Sequence, residues 1–280
     1  MSRAISSFAL LAVACRFDAS GPAGDPGARG GADAGGEVLL DLLLAGPATY
    51  VYDTSSGVLT RDGGDAIEVP SEARDGVRWI DAGSVLLAHD AVLRVVGELA
   101  LAVTAANTIE IDGTLDASSS LDAGDAAGSS GGDISLSARA RLAVSGRILV
   151  GGAGGAGGTL SSAGGAGGAG GAISLSGHEI LLAEQAVLSA NGGGGGEGGD
   201  ADDVGRPGED APADGRRAHG GAGAANDGGD GGEGAGDMDV TGKPGKEGGP
   251  AGSAGGAGGT GGVIRLSGLV SDGGARITPR

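Results

Sequence analysis

One short phrase returns three times along this chain: GGDISLS at 131–137, GGAISLS at 170–176 and GGVIRLS at 261–267. Each time a strand-like run is re-entered from a glycine tract, and a unit that keeps returning to the same strand after the same kind of connection marks a repeat architecture. Because the tracts share one place in the repeat, they are expected to emerge on one side of a stacked structure.

The strand-like runs share a template of apolar, any, apolar, any, Gly, any, apolar. It fits Leu93 to Leu99, Ile109 to Leu115 and Leu142 to Ile148, and a last copy runs from Ile264 to Val270. Alternation puts the apolar members on one face of a strand, while the glycine allows a bend into the next. In the copy from Ile180 to Ala190, Glu184 stands where the glycine is expected. No such unit buries a face alone, so the units must stack. The fold class expected is all-β, a right-handed parallel β-helix (β-solenoid) over 77–280, with glycine-rich insertions at 118–132, 151–171 and 191–262 emerging on one side.

Composition agrees with a narrow aliphatic interior. Of 280 residues 66 are glycine. The aromatics beyond the first fifteen residues are Phe17, Tyr50, Tyr52 and Trp79, which leaves Leu, Ile, Val and Ala to build a core. The longest insertion is tolerable, since closing it rather than the shortest costs only about 1.4 kcal/mol. One turn of the stack buries aliphatics worth about 1.5 to 3 kcal/mol each before entropy is charged against them. A net charge of −18 argues against binding nucleic acid or anionic lipid surfaces.

The first residues read as an export signal over 1–14, with Arg3 ahead of an apolar run from Ala4 to Val13 and a small-residue site ending at Ala14. Cys15, the chain's single cysteine, follows at once. That junction resembles a bacterial lipobox, which implies lipidation at Cys15, although Ala12 stands where the usual Leu would and Leu11 falls one position early. The alternative is a plain signal peptide that leaves a free thiol. Residues 15–37 carry almost nothing to bury and are expected to form a disordered tether, spanning on the order of 25 Å. Residues 38–76 read as a capping element followed by a β-hairpin, with ATYVYD and GVLT around Thr54-Ser55-Ser56. Tyr50 and Tyr52 are expected to form an aromatic lid.

For the alanine-interleaved tracts two conformations stand side by side: irregular loop, or packed polyproline-II-like helices in which only Gly and Ala permit close backbone contact. Collagen is excluded, because the chain's nine prolines avoid those tracts.

Chemistry is sparse. Carboxylates from Glu197 to Asp239 lie among glycines and are hard oxygen ligands of the kind Ca²⁺ takes. The tandem glycine-aspartate pattern of calcium repeats is missing, however, so they read as solvating charge, and no metal or other cofactor is expected. His89, His178 and His219 have no ligand spacing. Neither a G-x-S-x-G, an H-E-x-x-H nor a P-loop is present, and G-x-G-x-x-G matches mean nothing in so glycine-rich a chain. Outward strand residues include Arg94, Asp112, Asp116, Arg141 and Arg147. Asp112 and Asp116 are the best carboxylate pair, and solvated surface charge is the plainer reading of them.

The segments ATYVYDTSSGVLT, NTIEIDGTLDAS, GGAISLSGHEILLAEQAVLSANGGGGGEGG and GGAGGTGGVIRLSG together resemble the exported glycine-rich β-helix proteins of myxobacteria and related Gram-negative bacteria, often labelled PE-PGRS-like. The likeness runs from about residue 48 to 270 and brings no catalytic residue with it. The chain lacks the helical N-terminal domain of the mycobacterial family from which that label comes. The resemblance implies a surface or secreted structural protein. The expected function is a non-catalytic, lipid-anchored outer-membrane or cell-surface protein of adhesion type, presenting a glycine-rich fringe. Its expected partners are the membrane and surface polysaccharide or other cells. The alternative is a secreted polysaccharide-binding or polysaccharide-degrading β-helix protein.

Overall fold

The computed structural model describes residues 39–62, 64, 66–120, 126–225, 227–236 and 239–279. The signal sequence, Cys15 and the tether over 15–37 lie outside the described residues. Within them the protein is all-β. The strands are β1 (Leu42–Leu44), β2 (Ala48–Asp53), β3 (Val58–Arg61), β4 (Ala66–Glu68), β5 (Glu72–Arg74), β6 (Val77–Ala82), β7 (Val85–Leu87), β8 (Ala91–Val96) and β9 (Ala100–Ala105). They continue with β10 (Thr108–Ile111), β11 (Thr114–Asp116), β12 (Ile134–Val144), β13 (Arg147–Leu149), β14 (Ala172–Leu182), β15 (Val187–Ser189), β16 (Val263–Asp272) and β17 (Arg276–Thr278).

Three runs of parallel pairing organise these strands. The first joins β6, β9 and the leading halves of β12, β14 and β16. The second joins β1, β7, β10 and the trailing halves of the same three long strands, whose register shifts at Ala138/Arg141 and Ser176/Glu179. The third joins β2, β8, β11, β13, β15 and β17. Short antiparallel pairs, β2 with β3, β3 with β4 and β5 with β6, close the N-terminal end and make both sheets mixed.

Register explains the alternation in the sequence. Ile80, Val103, Leu136, Leu175 and Leu266 fall in one column, and Tyr50, Leu93, Leu115, Ile148, Leu188 and Ile277 in another. Leu175, Ile148 and Leu188 are wholly buried. Apart from Tyr50 at one end, each column is a row of aliphatics about 4.8 Å apart, so every side chain covers its neighbours above and below.

The template copies from Ile109 and Leu142 share one corner, whereas those from Leu93 and Ile264 stand elsewhere in the register, Leu93 beside Leu115 and Ile264 beside Ile173. At the shared corner the glycine is a steric requirement. A Cβ on Gly146 would stand 1.9 Å from the Gly113 carbonyl oxygen, and one on Gly113 would stand 2.3 Å from that of Ala91. The position does not pass to Glu184. Val187 pairs with Arg147, and its N–H donates to the Gly146 carbonyl at 3.0 Å, so Ala186 is the residue that follows Gly146 in the column. Extra residues around Glu184 lengthen that corner, and a buried methyl fits at Ala186 and again at Ala275.

At the N-terminal end β1 runs parallel to β7. The β2–β3 turn is clamped by Arg78, which donates to the carbonyls of Thr54 at 2.7 Å and Ser55 at 2.6 Å. Tyr50 and Tyr52 are buried members of β2, and burial pushes the Tyr52 phenol's pKa up.

Candidate functional site

The glycine tracts follow β11, β13 and β15 and precede β12, β14 and β16, so all three leave the third run of strands and return to the first. Their backbones repeat every three residues. The N–H groups of Gly152, Gly155 and Gly158 donate to the carbonyls of Asn191, Gly194 and Glu197, and those of Gly164, Gly167 and Gly170 to Ala254, Ala257 and Thr260. Farther out, Gly195 and Gly198 donate to Gly232 and Gly229, and Gly232 to Gly256. A three-residue repeat without internal hydrogen bonds is that of the polyproline-II helix, which leaves every backbone group free for a neighbour. The tracts are therefore an ordered, cross-bonded array. Its spacing excludes side chains: a Cβ on Gly193 would lie 1.9 Å from the Ala153 carbonyl oxygen.

The carboxylates among the glycines hold this array together. Glu197, 1% exposed, accepts the N–H groups of Arg206, Ala224 and Ala225 at 3.0 to 3.2 Å. Asp200 accepts those of Asp202 and Asp203 at 2.9 and 2.8 Å, and Asp210 that of Gly154 at 2.8 Å. At the rim Glu209 pairs with Arg216, Asp239 with Arg217, Glu233 with Lys243 and Asp230 with Lys246. The Arg216 hydrogen bond holds the Glu209 carboxyl below its ordinary value, and Lys243 does the same for Glu233. The Thr241 N–H and hydroxyl, followed by Arg217, bring Asp239 down to about 2. Among the described residues no group of three or more His, Cys, Asp or Glu side chains is placed to hold a metal ion.

The two carboxylates picked out in the sequence are engaged by separate partners. Asp112 accepts the Ser145 hydroxyl at 2.5 Å, whereas Asp116 accepts the Ser118 N–H at 2.9 Å. Arg141 pairs with Glu110 at 2.6 Å. Asp116 instead lines a cleft of about 190 Å³ on the outer side of the third run of strands. Arg94, Asp116, Leu149 and Ser189 succeed one another in register along its floor. Ser118 to Ser120 form one wall, and Asp210 to Ala213 of the long insertion form the other.

Alternation alone did not reveal this cleft, since it identifies outward positions but not the later segment that folds over them. The sequence template offered no signal for it, since it aligns Arg94 with Glu110, whereas the strands pair Arg94 with Asp116.

No family model, curated protein or solved structure matches the chain. Among the described residues, no helix is long and apolar enough to cross a membrane.

Proposed function

We propose that this is a non-catalytic structural protein of the exported cell surface, of adhesion type, anchored by a lipid on Cys15 and built as a right-handed parallel β-helix. The three parallel runs would be its faces, and the glycine tracts would leave it at one corner. The observation that carries this reading is where the polar groups are spent. The buried carboxylates Glu197 and Asp200 accept backbone N–H groups, and the rim carboxylates meet Arg and Lys, so the longest insertion is organised around making a stiff slab. A slab of nearly bare backbone on one side of a stack suits presentation of a surface to other cells or to matrix.

The test is expression in a Gram-negative host beside Cys15→Ser, with intact mass, detergent partitioning and protease shaving of whole cells. A cysteine-linked lipid mass that disappears in the variant, on protein accessible to external protease, is the expected result. An unmodified protein retained in the cytoplasm would overturn the reading.

A further inference from the structure

The cleft beside Ser189 has the chemistry of a binding site. Ser189, a 2% exposed residue, lines the cleft and offers there a hydroxyl that can both donate and accept. Arg94, three strands along the same column, has no ion pair or hydrogen bond among the described residues. Between them lie the Asp116 carboxylate, with one oxygen engaged by the Ser118 N–H, and the apolar Leu149. Strand spacing puts Arg94 and Ser189 about 14 Å apart.

We infer that this cleft is a subsite for one neutral sugar residue. A pyranose has hydroxyls that both donate and accept around its rim, together with an apolar C–H face. The cleft opposes these with the Arg94 donor, the Asp116 acceptor, serine hydroxyls that do both, and the Leu149 side chain. Charge disfavours the other ligand classes. An anion would meet Asp116 and Asp210 at close range, and a metal cation would meet Arg94 with too few carboxylates to hold it. A volume of about 190 Å³ is below the ~300 to 1,000 Å³ of pockets for drug-sized ligands and suits a single residue of a longer glycan passing through. The inference deepens the adhesion reading and rests on it only for the source of the sugar.

The experiment is a calorimetric titration of the full-length protein with the methyl glycosides of glucose, galactose and mannose, alongside sodium glucuronate and inorganic phosphate. Saturable binding of at least one neutral glycoside, tighter than either anion, is expected. Ser189→Ala removes only a hydroxyl and should fold normally, yet weaken binding about fivefold, and Arg94→Gln should weaken it about tenfold. Arg139→Gln, on an exposed site away from the cleft, should bind like the parent. Absence of binding by all three glycosides up to their solubility, binding indifferent to both cleft variants, or preference for phosphate or glucuronate would each overturn the assignment. None of these results depends on Cys15, so failure of the lipid anchor and failure of the subsite are read separately.

Discussion

The backbone N–H of Ala224 lies 3.1 Å from both carboxylate oxygens of Glu197, which is 1% exposed. With Arg206 and Ala225 also donating to it, this one side chain satisfies three backbone groups that have no strand to join. Glu197→Ala would leave them unpaired, that of Ala225 buried and those of Arg206 and Ala224 part-buried. At about 1 to 3 kcal/mol for each group stranded, partly relieved by water entry, a loss of about 2 to 5 kcal/mol is expected. Hydrogen exchange should show the amides of Arg206, Ala224 and Ala225 accelerating first. Glu197→Gln keeps one acceptor oxygen and should lose less. Unchanged protection at all three amides in the Ala variant would count against this role.

Position along a column should grade the cost of truncating its side chains. Leu175 is covered above and below by Leu136 and Leu266 and is fully buried, so Leu175→Ala should cost about 2 to 5 kcal/mol in chemical denaturation. Val270 ends the column of Ile180 with no strand beyond it among the described residues and is 44% exposed, so Val270→Ala should cost less than about 1 kcal/mol. Equal costs at the two sites would mean that β16 is covered in solution.

These columns were legible because period-2 alternation reports which face is buried, and the repeated GGxIxLS phrase reports which strands are equivalent. Ile134, Ile173 and Ile264 do fall in register. The corner at Ala186 was misread as Glu184 because a lengthened corner shifts the glycine position without disturbing the apolar pattern around it. The order of the glycine tracts was only half legible. Period three at Gly151 admitted a packed array, but the partners of those glycines lie at 191–198 and 254–260, a pairing that no local pattern encodes. The role of Glu197 was illegible for the same reason, since its donors come from 206 and 224–225.

Acid should loosen the rim of the array and the β2–β3 turn. The carboxyls of Asp53, held down by the Ser56 hydroxyl and Ser55 N–H, and of Glu209, Glu233 and Asp239 all titrate below their ordinary values when folded. With the folded pKa below the unfolded one, the unfolded chain takes up protons first as pH falls. Their contribution is therefore complete above the ordinary values of 3.8 for Asp and 4.5 for Glu and is lost as pH drops through the folded values, reaching about 2 for Asp239. The melting temperature should stay level from neutral pH to about pH 4.5 and fall below it. Asp239→Asn should flatten the lowest part of that fall. A melting temperature rising on acidification from pH 4.5 to 2 would reverse the sign and refute the assignment.

Adjacent positions of one tract should respond unequally to one added side-chain atom. Gly256 is buried, donates its N–H to the Gly196 carbonyl at 2.8 Å, and would place a Cβ 2.0 Å from the Gly165 carbonyl oxygen. That contact is with backbone and cannot be relieved by a rotamer, so Gly256→Ala must push two segments apart. It should destabilise by about 1 to 3 kcal/mol or more. Ala257 is exposed on the outside of the same segment, and Ala257→Ser should stay within about 0.5 kcal/mol of the parent. Because alanine restricts the unfolded chain more than glycine does, a tract that were merely loose would gain stability from Gly256→Ala. Thermal denaturation of the two variants thus separates a packed array from a flexible fringe by the sign of one measurement.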